Sequence, residues 1–556
     1  MNRRFLISAF VVGLCTAVSA QEPAALWGKA VQAAKKFTQG SDMKMGADGS
    51  LYIIGTGSTR TVDDYITLGG AQLALGTVYR GTNDNSQVTM MYLTKLDGGG
   101  SPSWTVYSKD AQASANNLVL QPVADGVVAF FVVEHTEKGG DHSPCFIDGT
   151  DATGNSHSLG WTLESAEASR YFKGVLMKVG SGGDIKWLRV LEPTDPSNQG
   201  LYPNAIAADD DGNLWIAGRQ RVSFLLPKSD GTTETVAPSF GSSGDGSPML
   251  VKLDADGYYL NHLEASGSAS NMYVNRLVQQ GSQLYLMGIG SGSGTVSLGD
   301  KSTSFSGACP YTASVNTDMT VNWVQAYPSS VSCTIQEMSL TAAGGSLWVT
   351  GTAKLELTTK TGKQVTTGTL NRDAVLLRID AANGDLLDGY AKGKLQQGYF
   401  STFMASDGYL YAVGHQGVWA GSEPKMPNGG AMFIDKFSPS DLTASVGSWD
   451  NVLENAAGAQ TALLSPGGTL YTMTRSQQTS NALMGGPLTT GQTTGEYSCN
   501  LCAFQLPVTP APTGIRDITH HPSPNTPTWY NLQGQRVQKP AKGLYIHEGR
   551  KVVVKD

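Results

Sequence analysis

Charge is scarce in this chain: Asp, Glu, Lys and Arg make up 15 % of its 556 residues. Helical periodicity is missing over any useful length, which excludes a helical bundle or coiled coil. After residue 18 no stretch is long and apolar enough to span a bilayer as a helix. Cysteine is rare, at six residues. Cys499 and Cys502 form a lone C-x-x-C with no second cysteine pair and no nearby histidine, so a zinc shell is not expected. A basic surface is also absent. The net charge is −7, and residues 21–512 carry about −13 while residues 513–556 carry about +4. Such a body excludes phosphate-neutralising contact with nucleic acid.

What the chain has instead is glycine, 67 residues of it, and a repeated phrase. Asp211-Gly-Asn-Leu-Trp-Ile-Ala-Gly218 returns as DGSLYIIG (48–55), DGVVAFFV (125–132), GSQLYLMG (281–288), GGSLWVTG (344–351), DGYLYAVG (407–414) and GGTLYTMT (467–474). A second phrase alternates with it: KLDADGYYL at 252–260, with relatives after Leu93, Met177, Ala313, Leu376, Phe433 and Cys502. Each phrase is a tight turn joined to a short apolar strand. Glycine supplies the positive φ of the turn, and Asp or Asn braces it. The strands are apolar runs more than alternations, which suits sheets covered on both faces. Seven copies of two hairpins make seven four-stranded repeats, spaced by roughly 60 to 85 residues.

The expected fold is therefore all-β: a seven-bladed β-propeller over residues 21–507. Its closure is legible at the two ends. Ala25-Leu-Trp27-Gly-Lys-Ala30 matches the last strand of a repeat, as in Pro102-Ser-Trp104 and Ile185-Lys-Trp187. The repeat region stops at Leu501–Leu506, a third strand. An N-terminal strand beside the last repeat would complete it and remove two open edges. Trp27, Trp104, Trp187 and Trp323 recur at one position and are assigned to packing.

Residues 1–20 have the form of a cleaved signal peptide: Arg3 and Arg4, an apolar run from Phe5 to Val18, then Val18-Ser-Ala20. Export makes disulfides permissible. Cys309 and Cys333 are one candidate pair; Cys499 and Cys502 are the other candidates, with Cys145 left over. Residues 508–528 are a Pro/Thr-rich linker, and residues 529–556 a small C-terminal β module.

The paired phrases resemble the repeats of secreted bacterial seven-bladed propellers. More distantly they resemble quinoprotein repeats, as at Ile379-Asp-Ala-Ala-Asn-Gly384-Asp-Leu-Leu387. The strands Tyr530-Asn-Leu-Gln-Gly-Gln-Arg-Val537 and Lys542-Gly-Leu-Tyr-Ile546, with the final Lys551-Val-Val-Val-Lys555, resemble the C-terminal sorting domains of Bacteroidetes proteins exported by type IX secretion. The first resemblance implies a channel lined by first strands, with the long segments between second and third strands leaving on one face. The second implies contact with secretion machinery and a secreted or cell-surface location.

Function is less legible. No G-x-S-x-G, P-loop or H-E-x-x-H is present. The S-x-D-x-G-x-T-W boxes of sialidase propellers are missing, as are the adjacent cysteines of quinoprotein dehydrogenases. No cofactor is expected. Segment 135–173 carries His135, His142, His157 and Trp161, whose spacing matches no standard metal set. Asp209–Asp211 and Asp254/Asp256 lack the distal Glu of a calcium loop, so turn duty is their expected role. Trp161 and Trp419 fall outside the repeat, on the long segments; with His157 they are the ligand-binding candidates. The expected function is binding of a glycan or protein ligand. The alternatives are a polysaccharide-acting enzyme with carboxylates from different repeats, and a structural envelope protein.

Overall fold

The computed structural model describes residues 22–554 except 34–37, 60–64, 69–70, 75–87, 110–112, 137–147, 159–169, 196, 199, 240–245, 269–270, 332, 369–372, 393–396, 417–430, 455–457, 477–479, 484–485, 490–497, 509–528, 531–535, 538–542 and 548–549. The described chain is all-β and contains no helix. It divides into two compact units, Met1–Val508 and Thr509–Asp556.

The larger unit is a succession of antiparallel four-stranded meanders. Unit I runs Thr38–Met45, Leu51–Thr59, Val88–Leu96, Pro102–Lys109, and its strands pair in that order. Units II to VI follow the same rule over 113–193, 201–262, 271–326, 334–392 and 397–454. Unit VII has Gly458–Leu464, Thr469–Ser476 and Ser498–Gln505, and takes its fourth strand from Ala24–Ala33. Trp27 lies opposite Ala503 and Val31 opposite Cys499, which is the pairing expected from the sequence.

The two phrases meet inside each sheet. The aromatic residue of the first phrase stands directly across from the lysine of the second: Tyr52 opposite Lys95, Trp215 opposite Lys252, Tyr411 opposite Lys436. In unit V the pair is Trp348 and Arg378. Each cation lies over its ring, at 5.2 to 5.6 Å. Such a contact contributes about 0.5–1 kcal/mol at a partly exposed site. The recurring K and Y/W are thus one interaction seen twice in the sequence.

Both faces of every sheet are apolar, so each unit needs two neighbours. The buried side chains form seven clusters among the described residues, and each cluster joins two units. Units I and II share Tyr52, Leu93, Leu120 and Phe131; III and IV share Trp215, Leu250, Leu286 and Tyr311. The last cluster joins VII to I through Met473, Leu501, Ile53 and Tyr92. First strands touch in the same cyclic order, and Gly458–Leu464 of unit VII contacts Thr38–Met45 of unit I. Units V and VI are also tied by a buried carboxylate. Asp435, fully enclosed, accepts from Lys392 Nζ at 2.9 Å, from Tyr399 Oη and from Ser448 Oγ.

The recurring Trp27, Trp104, Trp187 and Trp323 fasten units VII, I, II and IV each to the next. Trp27 Nε1 donates to Gly98 O at 3.0 Å, Trp104 Nε1 to Ser181 O at 2.9 Å, and Trp323 Nε1 to Ala381 O at 3.3 Å. Each acceptor lies in the turn between third and fourth strands of the following unit. Trp187 covers Gly257 of that turn in unit III. Gly257 has φ +79, and a Cβ there would lie 2.8 Å from Trp187 Cη2. Unit IV departs from the rule: Met319 takes the glycine position with φ 76 and buries its side chain in the III–IV cluster. The residue of unit III at the tryptophan position is correspondingly the smaller Asn261.

Of the segments between second and third strands, the sequence marks Thr295 to Phe305 and Lys354 to Thr369 as hairpin extensions, and both are hairpins; where other segments lie is what the sequence did not disclose. Several fold into hairpins laid on the outer strand of the preceding unit. Asp148–Thr150 and Ser156–Ser158 extend unit I through Thr150 opposite Tyr107. Phe224–Pro227 and Thr233–Val236 extend unit II. Tyr65–Leu68 extends unit VII beyond Ala24–Ala33, and Ser480–Leu483 extends unit VI. These segments are partly sheet, and not free loops throughout.

The smaller unit is a four-stranded antiparallel sheet in the order Arg536–Val537, Trp529–Tyr530, Gly543–His547, Arg550–Val554.

Two outcomes follow. Removing Ala24–Ala33 should lower the melting temperature sharply, because it uncovers the Ser498–Gln505 edge; an unchanged melt would show that this strand does not hold unit VII. Trp104→Ala should cost about 3–5 kcal/mol and Gly257→Ala about 1–3 kcal/mol, read by chemical denaturation.

Candidate functional site

A first strand has a neighbour on one side only, so its outer backbone groups need other partners. The register of all seven first strands slips near the middle, at Gly40/Asp42 in unit I, Pro203/Ala205 in III, Val274/Arg276 in IV and the corresponding places elsewhere. A bulge leaves residues out of the ladder and re-aims side chains. In unit II the bulged Asn117 takes φ 51. Polar side chains then cap the next unit's backbone. Asp42 Oδ2 accepts from Leu120 N at 3.0 Å; Asn204 Nδ2 donates to Val274 O at 2.8 Å; Thr341 Oγ1 donates to Thr402 O at 2.7 Å. Ser401 Oγ accepts from Ala462 N at 3.0 Å. Lys44 and Arg276 lie on these first strands and are half-buried.

At the end of the sheets from which the long segments leave, units III and IV build a cationic and aromatic patch. Tyr202 lies across from Arg219. The Arg219 guanidinium sits 4.1 Å from the Tyr202 ring and 5.3 Å from the Tyr273 ring. Arg221 is 5.5 Å from the same Tyr202 ring, and its Nη1 reaches Tyr202 Oη at 3.5 Å. Arg221 Nε is buried without a hydrogen-bond partner. Among the described residues neither arginine has a carboxylate in ion-pair range. All four side chains are partly exposed. Flat rings held by planar cations are suited to stacking, and the guanidinium edges to oxygen acceptors. Sequence reading passed over these residues because Tyr202 and Arg219 lie inside repeat strands. The signal available was the arginine directly after Gly218, a position that only one other phrase, with Arg475 after Thr474, fills with arginine.

Of the three ligand-binding candidates, Trp161 and Trp419 lie outside the described residues. His157 is in the hairpin added to unit I, where its Nε2 is 3.0 Å from Asp151 Oδ2. Asp151 also accepts from Thr153 N, Thr153 Oγ1 and Asn155 N. That is a self-contained turn. Burial pushes the Asp151 carboxyl up, but the bonds from Thr153, His157 and Asn155 outweigh it and hold it well below the usual range. Asp209 and Asp254 likewise spend their carboxylates on Asn213 N and on Asp256 N and Tyr258 N. No cluster of metal-ligating side chains occurs among the described residues.

The disulfide candidates are free, buried thiols. Cys499 faces the VII–I cluster and Cys502 the VI–VII cluster, on opposite faces of one strand, so they cannot bridge. Burial pushes Cys309 up to about 11 and Cys333 to about 12, which leaves both protonated at neutral pH.

No protein-family model matches the chain, and neither does any curated protein. Similar solved structures include a polysaccharide lyase, Uly1, at 11 % identity and TM-score 0.31, covering 70 % of this chain and 90 % of that one. A member of the DUF4221 family from Bacteroides vulgatus shows 8 % identity and TM-score 0.27, over 71 % and 98 %. The endosialidase of phage phi92 shows 11 % and 0.28, over 78 % and 75 %. These scores are too low to carry chemistry across.

Acid should test the Asp151 turn. Its folded pKa is depressed, so its contribution is complete above the unfolded value of about 4 and fades as pH falls through the folded one. The protection of amides 148–158, relative to their intrinsic exchange at each pH, should fall in acid, and Asp151→Asn should lower it already at pH 7.

Proposed function

We propose that residues 24–508 form a closed seven-bladed β-propeller that acts as a binding module, with a glycan ligand on the face where the long segments leave. Cyclic contact of the first strands and the strand shared by both termini support the closure. The single observation that supports the binding reading is the Tyr202, Arg219, Arg221, Tyr273 patch: two aromatic rings and two cations with no carboxylate in ion-pair range among the described residues, at that face. Stacking on sugar rings and donation to their oxygens need this combination. Residues 1–20 act as an export signal and residues 529–556 as a sorting module for type IX secretion, which gives a secreted or cell-surface protein.

A glycan array probed with the full chain should return a defined set of ligands. Tyr202→Ala and Arg219→Gln should each weaken binding about 10-fold or more, the equivalent of roughly 1.4 kcal/mol. Unaltered affinity in both variants removes the patch from the site. Shortening of the bound polysaccharide during incubation would replace the binding reading with an enzymatic one.

A further inference from the structure

The first strands of units I to IV also carry a second group of charges, formed by Asp42, Lys44 and Arg276. Lys44 of unit I donates to Gln121 Oε1 in unit II at 2.8 Å and to Ile206 O in unit III at 2.9 Å. One side chain therefore crosses to two further sheets. Arg276 lies on the first strand of unit IV, two residues beyond Val274, whose carbonyl accepts from Asn204 Nδ2 on the same unit III strand that Lys44 reaches. Its Nη1 donates to Asn275 O at 2.8 Å. Asp42 is the nearest counter-charge, yet both its oxygens are engaged by main-chain N–H groups, Oδ1 by Met43 at 2.9 Å and Oδ2 by Leu120 at 3.0 Å. Among the described residues neither Lys44 nor Arg276 has a carboxylate in ion-pair range.

Two cations and one committed carboxylate leave the group with net positive charge in a confined place. Burial works against the charged form of both Lys44 and Arg276, and the Arg276 charge adds to it at Lys44. A fold that needed only to seal this space would do better with apolar or neutral amide side chains, since unpaired charge is costly to desolvate. Lys44 has three donors and spends two; Arg276 has five and spends one. The free donors suit an oxyanion, because a guanidinium fork binds two oxygens side by side and an ammonium binds one as a point charge.

We propose that Lys44 and Arg276 form an oxyanion site lined by the first strands, taking a carboxylate or a phosphoryl group of a small ligand. The site stands on its own geometry and does not depend on the glycan reading of the outer patch.

Calorimetric titration of the full chain at constant ionic strength tests it, with sodium phosphate, sodium glucuronate and, as the neutral control, glucose. Saturable binding of phosphate or glucuronate and none of glucose is expected; which anion binds distinguishes a phosphoryl from a sugar-acid ligand. Lys44→Met and Arg276→Gln should each weaken binding about 10-fold or more, and Arg276→Lys should recover part of it. Lys301→Gln, on the hairpin strand Lys301–Ser306 outside both sites, should leave it unchanged. Absence of saturable anion binding by the wild-type chain overturns the proposal. So does equal weakening by Arg219→Gln and Arg276→Gln, which would assign the anion to the outer patch. Melting curves identify any variant that fails to fold, and Arg276→Lys then carries the comparison.

Discussion

Every sheet in the larger unit is apolar on both faces, and that constraint governs its architecture. A two-faced sheet exposed on either side would offer water a broad hydrophobic surface. Each sheet must therefore lie between two others, and a linear row would leave its terminal sheets uncovered. Contact between the last unit and the first removes those uncovered faces. The strand Ala24–Ala33 serves the same end at the level of hydrogen bonds, since unit VII has three strands from one part of the chain and needs a fourth from another.

Once the sheets are covered on both sides, their connection points become the variable parts. Tryptophan indoles reach carbonyls in the next sheet's turn, a buried Asp435 joins two units, and hairpins from the long segments overlap the preceding unit. The first strands then inherit an unsolved problem, their unpaired inner edge. Bulges and short polar side chains solve it locally. The functional candidates are the places where side chains exceed what that repair needs: arginines over Tyr202, and Lys44 with Arg276.

How much of this was legible in the sequence depended on repetition. The phrases around Asp211-Gly212 and Asp254-Gly257 recur, so their strands, turns and pairing order could be read from spacing alone, as could Trp27 beside Ala503. The hairpins that overlap neighbouring units were harder, because their partners are outer strands far away in sequence. Within 135–173 the histidines drew attention as chemistry-bearing residues, while His157 proved to brace the Asp151 turn. The Cys499-Cys502 spacing suggested a bridge, but a strand sends residues three apart to opposite faces. Tyr202, Arg219 and Arg276 were hidden for the opposite reason. They occupy strand positions that elsewhere serve packing, and only the three-dimensional neighbourhood reveals what is unusual about them.

The exchange of Gly for Met319 bears on how this chain keeps its units in sequence. Trp27, Trp104, Trp187 and Trp323 each lie against a glycine of the next turn, whereas the turn of unit IV carries the side chain of Met319 at that position. Unit IV thus accepts the small Asn261 but would collide with a tryptophan-bearing predecessor. Transposing units, as in recombination between repeats, would put incompatible shapes against each other even though every strand could still pair. The succession of modules is written into a handful of turn residues, as a key is cut to one lock.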